Sequence, residues 1–205
     1  MDPADLPPLW LLDVDGVLNA VSREPDWGAW SDWRTGSATA EGVSYRILFA
    51  PEAVAAVRDA HAAGRAEVRW LTTWGAAAND GLHRLLALPA LAVAGERPDP
   101  ALARSRTNGD EPAGAVVDTH ARESGAAGAA GAGRWWKFDV VRRLVLAEPG
   151  RRIVWTDDDL ADQPWALSWV ADHADALLVS PDPRVGLVAP QVQAIEEFLV
   201  RPARR

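Results

Sequence analysis

The chain has 205 residues, of which 48% are apolar and 24% are charged, the composition of an ordinary globular domain. It contains no cysteine, which excludes disulfide bonds and thiolate metal sites. A formal net charge of −8 argues against strong nonspecific binding to nucleic acid, but it allows a small phosphorylated ligand held together with a divalent cation.

The length fits a single domain over residues 1–205. No stretch has the length and apolarity of a membrane span, so no membrane partner is expected. Residues 1–8 lack the basic and then apolar pattern of a signal peptide, and together with the absence of cysteine this favours a cytoplasmic location. The sequence leaves the oligomeric state open.

The first predicted strand ends in a pair of carboxylates. Four apolar residues, Leu9–Leu12, are typical of a strand buried on both faces of a parallel sheet, and Asp13, Asp15 and Gly16 follow it. Residues two apart on an extended chain point the same way, and Gly16 permits a sharp turn. Ligands bind at the carboxyl ends of parallel strands, so both aspartates are candidate site residues. A capping pair in a surface turn is the alternative.

Residues 20–50, which we call the flap, follow this strand directly and are therefore expected to lie over the site. Glycines interrupt the segment, which predicts a loop or short hairpin with residues 45–49 as one strand. Trp27, Trp30 and Trp33 recur at three-residue spacing. They are able to stack on a nucleobase or to pack the flap onto the body, and packing is favoured because tryptophan is mostly buried.

Strand and helix patterns alternate through the rest of the chain. Strands are predicted over residues 67–71, 91–94, Ile153–Thr156 and Ala176–Val179, and helices over 51–63, 79–88, 135–147, 160–174 and 192–200. Residues 95–134 read as a long loop, with a weak strand signal over 115–118. This alternation predicts an α/β fold, a three-layer α/β/α sandwich around a parallel sheet. Trp70, Trp155, Trp165 and Trp169 are predicted core residues.

Polar residues follow three of the predicted strands and are expected to meet at one edge of the sheet. They are Asp13 with Asp15, then Thr72, then Asp157 with its two acidic neighbours. Carboxylate oxygens are ligands that Mg²⁺ prefers, while a threonine hydroxyl and the ammonium of Lys137 suit phosphate oxygens. An aspartate nucleophile beside Mg²⁺ is a known route to an aspartyl-phosphate. The alternatives to a role in phosphate binding are that Lys137 is a solvated residue at the start of a helix and that Thr72 only ends a strand.

These residues carry a family resemblance. The run Asp13-Val14-Asp15-Gly16-Val17-Leu18-Asn19 resembles the first motif of the haloacid dehalogenase (HAD) superfamily. Thr72, Lys137 and the pair Asp157-Asp158 are similar to its second, third and fourth motifs, in the superfamily's order. Residues 70–74 and 182–199 also resemble a small subgroup associated with RNA-repair proteins. The resemblance implies a Rossmann-like HAD fold with a small flap and no large cap.

The resemblance also implies roles for the residues of this chain. Asp13 would attack phosphorus, and Asp15 would protonate the leaving oxygen and later activate water. Mg²⁺ would be bound by Asp13, the main-chain carbonyl of Asp15, Asp157 and Asp158. Thr72 and Lys137 would hold the phosphoryl oxygens, with Gly16 and Thr73 beside them in the substrate site.

Two assignments stay open at this point. The second acidic role of the fourth motif is open among Asp158, Asp159 and Asp162, and Thr73 replaces Thr72 if the strand ends one residue later. The leading hypothesis is a Mg²⁺-dependent phosphohydrolase acting on a small phosphorylated substrate, with a nucleotide or a nucleic-acid end as options. A catalytically idle binding or regulatory module, and a phosphotransferase to an acceptor other than water, are the alternatives.

Overall fold

The computed structural model describes residues 3–22, 26–40, 42–98 and 135–202 of the chain. Its strands are β1 (Leu9–Leu12), β2 (Arg34–Ala40), β3 (Val43–Phe49), β4 (Glu67–Trp70), β5 (Ala92–Val93), β6 (Ile153–Thr156) and β7 (Ala176–Val179). Five of them form a parallel sheet in the order β5-β4-β1-β6-β7, and β2 and β3 form an antiparallel hairpin. The most apolar strand, β1, therefore lies at the centre of the sheet.

Helices cover both faces of this sheet. They are α1 (Pro51–Ala62), α2 (Leu82–Leu86), α3 (Trp136–Ala147), α4 (Pro164–His173) and α5 (Ala189–Val200). Because side chains alternate along a strand, Trp10 and Leu12 pack on the face of α1 and α5, while Leu9 and Leu11 pack on the face of α3 and α4. The predicted three-layer α/β/α sandwich is confirmed.

Two predicted helices are shorter than expected. Over residues 79–88 only Leu82–Leu86 is α-helical, after a 3-10 turn over Gly75–Asn79. The side chain of Asn79 bridges Trp70 and Leu91 by hydrogen bonds, which ties this turn to the sheet instead of leaving it free to extend a helix.

The prediction of one helix over residues 160–174 was wrong for the first turn. A separate 3-10 helix, Asp158–Asp162, comes first, and α4 begins at Pro164. Proline disfavours helical backbone in the residue before it, and Gln163 accordingly leaves the helical region with φ −121 and ψ 55. The last helix begins at Ala189 rather than at residue 192, and the strand predicted over 115–118 lies outside the described residues.

The tryptophans divide between core and surface. Trp70 and Trp155 are fully buried, as predicted, but Trp165 is 49% exposed, so its prediction as a core residue was wrong. Its indole lies at the rim of α4, where it contacts Phe138 edge-on. In the flap, Trp30 and Trp33 pack against the main core, while Trp27 is 56% exposed. The Nε1 of Trp30 also donates to the carbonyl of Leu187 at 2.8 Å, which supports the packing interpretation for this residue.

None of the helices in the described part of the chain has both the length and the apolarity that a membrane crossing requires.

The amino-terminal edge of the sheet is held by one buried cation. Arg151 donates to Glu67 at 2.5 Å, to Glu148, and through Nε to the carbonyl of Pro7 at 3.0 Å. Its side chain is only 2% exposed. Removing it would leave these acceptors without their charged donor inside the protein.

We expect Arg151→Met to destabilise the protein by about 2 kcal/mol near neutral pH. Burial raises the pKa of Glu67, but hydrogen bonds from Arg151 and Arg69 outweigh it and lower the pKa below its ordinary value. The contribution of the pair is therefore present above the carboxyl's unfolded pKa and is lost as pH falls through the lowered one. Urea unfolding of the wild type and of Arg151→Met, from neutral to acid pH, measures the difference in their free energies of unfolding. This difference should shrink in acid, and a difference that grows would contradict the prediction.

Candidate active site

Three neighbouring strands bring the predicted polar residues to one edge of the sheet. Asp13, Thr72 and Asp157 lie just beyond the ends of β1, β4 and β6, which are adjacent in the sheet. The backbone ladder continues past the strand ends, since the amide of Asp13 donates to Thr156 at 3.1 Å and that of Asp157 to Val179 at 3.1 Å. The positions of these side chains are therefore fixed by the central sheet itself.

Carboxylate oxygens of Asp13, Asp157 and Asp158 all lie within 4.8 Å of one another. The Nζ of Lys137, from the first turn of α3, lies 2.5 Å from Asp13 and 2.8 Å from Asp157. Asp13, Asp157 and Lys137 are buried, and Asp158 is half-buried at the edge. Three carboxylates and one ammonium leave a formal charge of −2 in this cluster.

The electrostatics follow from burial and crowding. Burial raises the pKa of Asp13, while Lys137 opposes the rise. Burial and the charge of Asp13 raise the pKa of Asp157 to about 8, and burial together with Asp159 and Asp13 raises the pKa of Asp158 to about 7. Burial lowers the pKa of Lys137, but the attraction of Asp13 and Asp157 outweighs it and raises the pKa above its ordinary value. Lys137 therefore stays protonated. One ammonium balances only one of the three carboxylates, so the cluster favours a further cation.

This donor set fits a divalent cation. Hard oxygen donors from two strands converge, and the cluster's formal charge of −2 matches that of a dication. Asp159 and Asp162, which the sequence left as alternatives to Asp158, are exposed. The residues present therefore suit Mg²⁺, with Asp158 as the acidic neighbour that joins the cluster.

The two threonines after β4 take different positions. Thr72 is fully buried, its hydroxyl accepts from the amide of Trp74 at 3.3 Å, and its side chain lies near enough to Asp13 to lower the pKa of that carboxyl. Thr73 is exposed and, with Asp15, lines a neighbouring cavity of about 130 Å³ beside the flap. Of the two hydroxyls, that of Thr72 lies in the cluster.

Asp15 does not share the partners of Asp13. Extended backbone ends at Leu12, and a tight turn follows in which the carbonyl of Val14 accepts from the amides of residues 17, 18 and 19. The Asp15 carboxylate instead accepts from Asn19 Nδ2 at 2.7 Å and from Trp74 Nε1 at 2.9 Å. Its direction is set by this turn, so strand alternation was not a sufficient guide to it.

Gly16 provides the space that Asp158 occupies. Its φ is +72°, in the left-handed region that favours glycine, and a Cβ on it would overlap the carboxylate of Asp158. A methyl group here would therefore strain the turn and also push Asp158 away from the cluster.

We expect Gly16→Ala to weaken Mg²⁺ binding by about 10-fold or more, beyond the strain of about 1 kcal/mol that the backbone alone imposes. Gly64→Ala is the matched control, because Gly64 has φ +65° and no atom lies within 4 Å of the position that a methyl group would take there. Both variants should lose thermal stability, but only Gly16→Ala should lose the rise in melting temperature that Mg²⁺ gives. Equal Mg²⁺ responses would contradict this role of Gly16.

Two side chains at the site, Trp74 and Asn19, lie in the stretches that carry the family resemblance, but the sequence assigned them no role. Asn19 reaches Asp15 within the turn after β1, whereas Trp74 reaches it from 59 positions away along the chain, a contact that the local sequence does not reveal. Lys137 carried a signal that was available, since it is the only lysine in a chain with 21 basic residues. A compact ammonium fits between two buried carboxylates, where the larger, forked guanidinium of arginine would need more room.

One family model, described as the HAD domain in Swiss Army Knife RNA repair proteins, matches residues 9–192. The chain therefore belongs to this family, and the sequence-based recognition is confirmed. Comparisons with curated proteins and with solved structures found no match.

Proposed function

We propose that this member of the HAD family is a Mg²⁺-dependent phosphatase that hydrolyses a phosphomonoester through an aspartyl-phosphate on Asp13. The observation that carries the proposal is the buried cluster in which Lys137 contacts Asp13 and Asp157 while Asp158 closes the edge. Family membership supports a phosphatase-type hydrolase. The cluster supports the finer chemistry, because it combines a nucleophile, a fixed cation and oxygen ligands for a metal.

In the first step an oxygen of Asp13 forms a bond to phosphorus as the bond to the leaving oxygen breaks. Asp15 gives its proton to that leaving oxygen, so the product departs as an alcohol. Lys137 and Thr72 donate to phosphoryl oxygens and offset their charge as transfer proceeds. Lys137 suits this task because it is protonated and already fixed against Asp13.

In the second step water attacks the phosphorus of the aspartyl-phosphate. Asp15, now ionised, takes a proton from the water, and the bond between Asp13 and phosphorus breaks. Inorganic phosphate leaves, the Asp13 carboxylate is restored, and Asp15 is again protonated for the next turnover. When bound by Asp13, Asp157, Asp158 and the Asp15 main-chain carbonyl, Mg²⁺ would supply positive charge to the phosphoryl group and its nucleophile.

The substrate class is a small phosphorylated molecule or a nucleic-acid end. The family description names RNA repair proteins, which supports the second option. The net charge of −8 works against tight binding of a long polyanion, so local contacts would have to hold such an end.

The test is phosphate release from a panel, with Mg²⁺ and with a chelator. The panel holds an aryl phosphate, nucleotides, sugar phosphates, and oligonucleotides phosphorylated at the 3′ or 5′ end. Mg²⁺-dependent release from any of them supports the proposal, and the fastest substrate defines the class. Substrate loss without free phosphate, with the phosphoryl group on a second alcohol, would show a phosphotransferase. Binding without turnover of any compound would favour the idle module.

A further inference from the structure

The carboxylate of Asp15 is held at both of its oxygens by side chains to which the sequence assigned no role. Asn19 Nδ2 donates to Oδ1 at 2.7 Å, and Trp74 Nε1 donates to Oδ2 at 2.9 Å. The amide of Asn19 has its orientation set by the flap, because its Oδ1 accepts from the backbone N–H of Leu48 at 2.9 Å. Asp15 therefore lies between two donors, both of which are connected to the flap.

Trp74 is a rigid donor. Its side chain is 8% exposed, its ring contacts Tyr45 edge-on with centroids 5.1 Å apart, and its backbone amide donates to the Thr72 hydroxyl at 3.3 Å. An indole N–H donates only, so it cannot take a proton from Asp15. It occupies one lone pair of Oδ2 and leaves the other for the proton that is to be transferred.

The oxygen that Trp74 holds belongs to the carboxylate that lines the cavity beside the flap. The lining residues are Asp15, Ala40, Tyr45, Thr73 and Trp74, and the volume is about 130 Å³. The cavity gives a leaving group room beside the carboxylate that, in the proposed reaction, protonates it.

We propose that Trp74 is a positioning residue for proton transfer, fixing Asp15 toward the leaving group of the substrate. This inference rests on the proposed phosphatase function. If the hydrogen bond from Trp74 orients the Asp15 carboxyl, losing it will slow cleavage most for substrates with a basic leaving oxygen, because these depend most on protonation. A role in packing alone would affect good and poor leaving groups alike.

The test compares 4-nitrophenyl phosphate with phenyl phosphate, which share a ring but differ in the basicity of the leaving oxygen. Trp74→Phe keeps a ring beside Tyr45 and removes the N–H. Trp70→Phe is the matched control, because Trp70 is also a buried donor but gives its N–H to Asn79 Oδ1, at 3.0 Å, and not to Asp15.

We expect Trp74→Phe to lower kcat/KM for phenyl phosphate about 10-fold more than for 4-nitrophenyl phosphate. The factor is smaller than the whole contribution of a general acid, because Asp15 is still present but no longer fixed in direction. Trp70→Phe should leave the ratio between the two substrates at its wild-type value, and Asp15→Asn should change it further in the same direction. Trp74→Leu also lacks the donor and repeats the test if the phenylalanine variant does not fold.

An unchanged ratio in Trp74→Phe and Trp74→Leu, with wild-type protein that turns over both substrates, would overturn the positioning role and leave the phosphatase proposal in place. No release by wild-type protein from the aryl phosphates or from the wider panel would instead overturn the proposed function, and this inference with it.

Discussion

Replacing Asp13 with asparagine is expected to reduce phosphate release by about 10⁴-fold or more while leaving the protein folded. An amide has the shape of a carboxylate but is a far weaker nucleophile, so the covalent step is lost. The fold should persist because the backbone N–H of Val14, which donates to Asp13 Oδ1 at 2.7 Å, still finds an acceptor. The amide NH₂ at the place of Oδ2 cannot accept from Lys137, but Lys137 keeps Asp157 as its partner and the repulsion between Asp13 and Asp157 is lost, so the melting temperature should fall only modestly.

Phosphate release and thermal melting of Asp13→Asn, beside Asp162→Asn, check this prediction. Asp162 belongs to the same acidic segment as Asp157 but is exposed, so the same substitution there should keep wild-type turnover. Acid-quenched mass spectrometry adds a direct readout, because a phosphoryl group should appear on the peptide holding residue 13 in the wild type alone. Substantial turnover by Asp13→Asn would remove Asp13 as the nucleophile.

Much of the central sheet was predictable because each strand carries its own signal. β1, β6 and β7 were predicted with the bounds the structure gives, since short apolar runs end at polar residues or turns. The meeting of Asp13, Thr72 and Asp157 at one edge followed from the rule that parallel strands share a carboxyl edge. These are local patterns combined with one general rule of topology.

The rest depended on contacts between distant residues. Asp15 follows a turn toward Trp74, a residue 59 positions away along the chain, and no local pattern encodes that hydrogen bond. The sequence alone did not distinguish Asp158, Asp159 and Asp162 as the second acidic residue of the fourth motif. In the structure, the 3-10 helix after β6 places Asp158 near the cluster and leaves Asp159 and Asp162 exposed. Turn geometry and packing of the flap, not residue type, decide both cases.

Replacing Lys137 with methionine is expected to lower turnover about 10²-fold or more and to make folding depend on Mg²⁺. The ammonium lies between two buried carboxylates, so its removal leaves them facing Asp158 and each other with no nearby cation among the described residues. Breaking a buried pair in this way costs about 3–5 kcal/mol. A divalent cation supplies the missing charge, so Mg²⁺ should raise the melting temperature of the variant more than that of the wild type.

Arg151→Met is the matched control for Lys137→Met, because it removes another buried, ion-paired cation at the opposite edge of the sheet. Both variants lose stability, but only a cation that shares its partners with the metal can be replaced by the metal. Thermal melting of wild type and both variants, with Mg²⁺ and with a chelator, therefore separates the two effects. If Mg²⁺ stabilises Lys137→Met no more than it stabilises Arg151→Met, then Lys137 and the metal do not share Asp13 and Asp157, and the proposed metal site is wrong.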